Sequence, residues 1–331
     1  MKVVDMHCDT IAELYKNHRE GKTVSVLENN LMLDLKKMQA GDYGLQNFAL
    51  FTNLAGIDEP PYEYCMKLLD TFYTELEAHQ DLIGIVRSYG DIESNMRQGK
   101  MSALLTIEEG GVCQGEPAFL RNFYRLGVRM MTLTWNHPNE LAFPNGRRAL
   151  EDGHFQVVPD TEHGLTETGI TFVEEMERLG MIIDVAHLND AGIWDVFQHT
   201  KKPFVASHSN ARAVCSHPRN LTDEMIRALS QRGGVMGINY YGGFLRDVPE
   251  GGADVSRIAD MVAHMKHIRN VGGIQCIGLG SDFDGIGGDL ELKTAADLPR
   301  LAQEMERQGF TADEIEAVFS KNVLRVYREI L

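Results

Sequence analysis

Imidazoles and carboxylates recur where β-branched runs end. His7 and Asp9 stand in Asp5-Met6-His7-Cys8-Asp9, and Glu108 follows Leu104-Leu105-Thr106-Ile107. His187 follows Ile182–Ala186, His208 follows Phe204–Ser207, and Asp282 follows Gly278-Leu279-Gly280-Ser281. In an extended chain, residues two apart share a side, so His7 and Asp9 can converge on one cation. A carboxylate such as Glu108 can offer its two oxygens to two metal ions. Mixed imidazole and carboxylate ligation suits zinc or another first-row divalent ion, not Ca²⁺ or Mg²⁺. Such an ion makes hydroxide available near neutral pH, and a carboxylate beside it, here Asp282, can take a proton and return it to a leaving amine. Each residue alone has a plainer reading: a strand-end histidine, a helix N-cap at Asp9, an acidic turn at Glu108. Three histidines at strand ends, with carboxylates at others, argue for one shared site.

The elements that must position them alternate along the chain. Apolar runs occur at Val3–His7, Leu45–Phe51, Ser102–Ile107, Arg129–Trp135, Met181–Ala186, Phe204–Ser207, Val235–Asn239 and Cys276–Leu279, with Ile83–Val86 a weaker one. Amphipathic helical patterns lie between them, for example Tyr62–His79, Thr166–Leu179, Asp190–His199 and Ser256–Arg269. Thr166 reads as an N-cap, and Gly127, Gly180, Gly233 and Gly272 read as helix C-caps. Eight strands alternating with helices imply parallel βαβ units. An open doubly wound sheet fits, but the count favours a closed (β/α)8 TIM barrel, whose active site sits at the carboxyl ends of the strands. Asn136–Gly164 has no period and reads as an active-site loop, carrying His137, His154 and His163. His79, His199, His264 and His267 lie on helical patterns and read as structural or exposed.

The chain has 331 residues, 43% of them hydrophobic and 24% charged, an ordinary globular mixture. A core of that size needs no metal to hold it together. The net charge of −16 disfavours nucleic acid and anionic membrane surfaces as partners. No apolar run approaches the ~20 residues of a membrane span, and Met1–Thr10 lacks the apolar core of a signal peptide. Five widely spaced cysteines without a C-x-x-C pair suggest a reduced, cytoplasmic protein.

Together these segments resemble the membrane (renal) dipeptidase family of zinc peptidases, in the amidohydrolase-like barrel group. The match runs from DMHCDT through GLGSDFDG, and its most specific part is Ile182–Asn220, with DVAH, SHSNAR and HPRN. The resemblance implies one catalytic barrel over residues 1–331, two zinc ions per chain, and hydrolysis of dipeptides by a hydroxide held between the metals. It implies His7 and Asp9 on one zinc, His187 and His208 on the other, and Glu108 bridging. Glu109 is the register alternative, but Glu108 fits the distance to Leu126–Arg129 without a gap. Asp282 then handles the proton, and Arg219 holds the substrate carboxylate, a task suited to a planar guanidinium. Tyr241 is a further candidate for lining the pocket. One position departs from the pattern: better-studied members carry a histidine where this chain has Trp135, and Asn136 or His137 could take its place. A homodimer is what the family suggests. Two other readings stay open: another binuclear hydrolase (lactonase, phosphotriesterase or deacetylase), and a non-catalytic metal-stabilised ligand-binding barrel.

Overall fold

The computed structural model of the chain describes residues 2–150, 155–248 and 254–331. Eight parallel strands close into a barrel: β1 (Val3–Asp5), β2 (Tyr43–Phe51), β3 (Met101–Glu108), β4 (Met130–Thr132), β5 (Ile182–Asp184), β6 (Val205–Ala206), β7 (Val235–Ile238) and β8 (Ile277–Leu279). Each pairs with the next, and β8 returns to β1 through Asp5 opposite Leu279. The expected (β/α)8 barrel is therefore the fold. Ile83–Val86 is also a strand; it pairs with Met101–Leu104 of β3, while β4 takes Thr106–Glu108 further along.

Most strands end before the apolar runs do. Val3–His7 shortens to Val3–Asp5, and Arg129–Trp135 to Met130–Thr132. The chain leaves the ladder at these points to enter the site, yet stays buried, so apolarity outlasts the pairing. Two further expectations change. Residue 272 is still helical, and the left-handed turn falls on Gly273 (φ +88°). Asn136–Gly164 contains an antiparallel hairpin, Gly146–Ala149 against Phe155–Val158. Its residues are mostly exposed, which erases the alternation that would have revealed it. His154 lies outside the described residues.

The amino-terminal mouth of the barrel is closed from within the chain. Val4, Leu45, Leu104, Met130, Ile182, Val205 and Val235 come from seven successive strands and form one buried cluster. Val323, Val326, Tyr327 and Ile330 of the helix Asn322–Ile330 pack into the same cluster. Their i, i+3, i+4, i+7 spacing makes one apolar stripe. Each such side chain contributes about 1.5–3 kcal/mol by leaving water. Tyr327 also accepts a hydrogen bond from Asn47 Nδ2 at 2.7 Å. This helix thus covers the floor of the barrel, at the end opposite the carboxyl ends of the strands. Among the described residues, no helix is long and apolar enough to cross a membrane.

Candidate metal centre and active-site cavity

Five strands deliver the six ligand and proton-handling candidates to one place. β1 leads to His7 and Asp9, β3 ends on Glu108, β5 leads to His187, β6 leads to His208, and β8 leads to Asp282. The carboxylate of Glu108 faces two ways. Its Oε2 lies 3.3 Å from His7 Nε2, and its Oε1 lies 3.0 Å from His187 Nε2 and 3.6 Å from His208 Nε2. Asp9 Oδ2 and Asp282 Oδ1 approach His7 Nε2 at 3.6 and 3.8 Å. All six residues are brought together. Their backbones are bent to do it: His187 (φ +68°) and Asp282 (φ +63°) are left-handed without being glycine. That costs about 1–3 kcal/mol each and is typical of residues held for function.

The two register candidates, Glu108 and Glu109, part in space. Glu109 (φ +97°) turns away from the cluster and accepts from Gly111 N, Trp135 N and Asn139 Nδ2. It ties the end of β3 to the loop that follows β4. Burial pushes its carboxyl up to about 7.

The residues present fit a divalent cation. His7 Nδ1 and Asp9 Oδ1 are buried without a hydrogen-bond partner, and His7 Nε2 lies among three carboxylates at 3.3–3.8 Å. Unpaired buried polar atoms are costly and call for a missing partner. His187 Nε2 and His208 Nε2 face each other at 2.9 Å. On each ring the other nitrogen is engaged: His187 Nδ1 with Asn136 Oδ1 at 3.1 Å, and His208 Nδ1 with Ser207 Oγ at 2.8 Å. Ser207 Oγ donates to Asp184 Oδ2 at 2.6 Å, so it must accept from His208 Nδ1–H. Both Nε2 lone pairs therefore point into the cluster, as metal-binding imidazoles require. Burial keeps the two rings neutral, His187 near a pKa of about 4 and His208 well below its usual value, with Arg219 adding to the effect on His187. Burial raises the Asp282 carboxyl to about 6, against the pull of His7.

A cavity of about 460 Å³ opens over the cluster. Asp9, Glu108, His187 and Asp282 line its floor, and Phe51, Trp135, Asn136, Tyr241 and Phe244 are among its walls. Tyr241 and Asn136 thus both line the cavity. His137 is not among its lining residues; its ring packs on Trp135, centroids 5.9 Å apart. Trp135 itself forms the wall, with its ring edge-on to Phe51 at 5.0 Å. Arg219 is buried beside the cluster. Nη1 donates to Ser209 Oγ at 3.3 Å and Nη2 to His208 O at 3.2 Å, while Nε has no partner. Arg219 is not among the residues lining this cavity, and its guanidinium lies over the Phe244 ring at 5.3 Å.

Several residues beyond the sequence candidates also shape the site. Asp184 accepts from Thr132 Oγ1, Ser207 Oγ and two backbone amides, and so anchors β4, β5 and β6 to one another. Asn239 donates from Nδ2 to Asp282 Oδ2 at 2.9 Å, leaving Oδ1 toward His7. The available signal was position: a carboxylate at the end of β5 and an amide just beyond β7, each at the reactive end of the barrel.

The profile of the family described as membrane dipeptidase (peptidase family M19) matches residues 1–331. A protein of Klebsiella pneumoniae, described as an uncharacterized protein in the pqqA 5′ region, is 38% identical over 244 residues, covering 73% of this chain and 87% of the relative. An uncharacterized dipeptidase of Schizosaccharomyces pombe is 33% identical over 349 residues, covering 99% of this chain and 80% of the relative. The crystal structure of a metallopeptidase from Rhodobacter sphaeroides, liganded with a phosphinate mimic of the dipeptide L-Ala-D-Ala, is similar at a TM-score of 0.89 and 25% identity. That match covers 100% of this chain and 99% of the other.

Proposed function

From the premise that this chain belongs to the membrane dipeptidase family, peptidase family M19, we propose that it hydrolyses the peptide bond of dipeptides at a centre of two zinc ions. The observation that carries the reading is the divided reach of Glu108, with one oxygen toward His7 and the other toward His187 and His208. His7 and Asp9 would hold one ion, His187 and His208 the other, and Glu108 would serve both. When bound, the ions supply Lewis acidity for the scissile carbonyl and bring the pKa of water down toward ~7.

The chain's own groups do the rest. Asn239 engages Asp282 through Oδ2, so Oδ1 is the oxygen free to take a proton and pass it to the departing amine. A carboxyl raised toward neutrality is suited to both halves of that exchange. Arg219 receives the substrate's terminal carboxylate; its buried, unpartnered Nε supports this role. An anchor one residue from the scissile bond limits the substrate's length. Asn136 keeps His187 in the correct tautomer, and Tyr241 and Trp135 enclose the substrate. We read residues 1–331 as one catalytic domain, and a homodimer as its solution form, which sedimentation tests.

The deciding experiment is hydrolysis of L,L and L,D dipeptides by zinc-loaded protein, with a chelator control. Hydrolysis that disappears with chelator and returns with zinc is expected. Lactone or phosphotriester hydrolysis with no dipeptide turnover would overturn the reading.

A further inference from the structure

Beside the main cavity is a smaller one of about 160 Å³. Asn136, His187 and Phe244 line both, so the two are adjoining spaces. The smaller one adds Arg219, His217 and Arg147, and no carboxylate lines it among the described residues. Arg147 comes from the hairpin Gly146–Ala149 and is exposed. Its Nη2 donates to Asn136 O at 3.5 Å, and it has no ion pair among the described residues. This matters in a chain where 48 acidic residues face 32 basic ones. Two guanidiniums thus face one small space whose lining carries no carboxylate among the described residues, and of the two Arg219 alone lies near the acidic groups of the cluster, Asp282 and Glu108.

A dipeptide with a neutral second residue offers that space a single carboxylate, which Arg219 satisfies. The second guanidinium is complementary to a second anion on the same residue. We propose that Arg147 is a specificity-determining residue, selecting dipeptides whose carboxyl-terminal residue is acidic, aspartate or glutamate. The inference rests on the dipeptidase reading above and names its substrate class. Asn136 joins the two functions: its side chain holds His187 and its carbonyl receives Arg147. The subsite therefore adjoins the catalytic cluster through Asn136.

The test compares kcat/KM for Ala-Glu with Ala-Gln and for Ala-Asp with Ala-Asn, the second residue supplied in L and D forms. These pairs differ in charge and hardly in shape. For wild type, the acid is expected to be favoured about fivefold, the scale of a solvent-exposed ion pair, through KM rather than kcat. The preference should shrink as salt rises from low to high ionic strength. It should fall toward unity in Arg147→Ala, persist in part in Arg147→Lys, and invert in Arg147→Glu. Turnover of Ala-Gln without any preference for Ala-Glu would overturn this subsite alone. So would a preference that survives Arg147→Ala. Failure to hydrolyse any dipeptide would overturn the dipeptidase reading, and the subsite with it.

Discussion

Nε2 of His187 and Nε2 of His208 lie 2.9 Å apart in a buried site, each with its lone pair aimed into the same space. Two acceptors that close repel one another unless a cation lies between or beside them. Their orientation is not incidental, because each opposite nitrogen is held by a different device: an amide oxygen on His187 and a hydroxyl on His208. The hydroxyl is itself directed by Asp184, which β4 and β5 hold in register opposite Thr132.

That relay can be tested by Ser207→Ala. The substitution removes the group that dictates the His208 tautomer while leaving Asp184 its contacts with Thr132 and two backbone amides. Metal affinity should fall about 10–100-fold, the usual cost of losing such an outer partner. Competition with a chelator of known affinity measures it. Unchanged affinity would mean that Ser207 does not orient the ligand.

Asp282→Asn separates metal binding from proton transfer. The amide oxygen can still face Asn239, so the bound metal should remain. Turnover should fall by about 10²–10⁴-fold, the range for losing a general acid–base. Metal analysis and steady-state rates on the same sample read both. Undiminished hydrolysis would remove Asp282 from this role.

Arg219→Ala removes the proposed carboxylate anchor. For dipeptides with a free carboxylate, KM should rise about 30-fold or more, given ~2 kcal/mol or more for a buried charge pair losing one partner. Amidated dipeptides should be affected much less. An equal loss for both would contradict the anchor.

His264 predicts an acid-sensitive fold. It is buried, Nδ1 accepts from Ala211 N at 3.0 Å, and Nε2 donates to Leu245 O at 2.8 Å. That pattern needs the neutral ring, and burial lowers its pKa from 6.5 to about 4. The unfolded chain therefore takes up this proton first as pH falls. The stability His264 contributes is complete above pH 6.5 and is lost as pH drops toward 4, about 3 kcal/mol in all. Urea unfolding at pH 7 and pH 4.5 checks this: His264→Gln should lose less stability than wild type over that interval. Equal losses would exclude His264 as the source.

Much of the site was legible because its signals are local. H-x-D at 7–9, DVAH at 184–187 and SHS at 207–209 each sit on one strand end, and alternation places their side chains without knowledge of the rest. The choice between Glu108 and Glu109 was narrower, and the backbone makes it by turning Glu109 left-handed into the next loop. Asn136 read as a substrate contact, yet its side chain also holds His187 across 51 positions, a link no spacing encodes. His137 was a candidate for the same reason, proximity in sequence, and packs on Trp135 instead.

The amino-acid sequence by itself determined the alternation of strands and helices, and with it a barrel whose reactive groups share one end. It also determined the types of the candidate ligands, because imidazole and carboxylate chemistry belongs to the residues wherever they lie. Tertiary structure decided what depends on distance between strands: which Glu108 oxygen faces which histidine, how Asp184 and Ser207 set a tautomer, and how a hairpin brings Arg147 beside Arg219. The physical reason is range. Propensity and periodicity act over a few residues, whereas these relations join side chains 21 to 101 positions apart along the chain and arise only when barrel closure fixes the register.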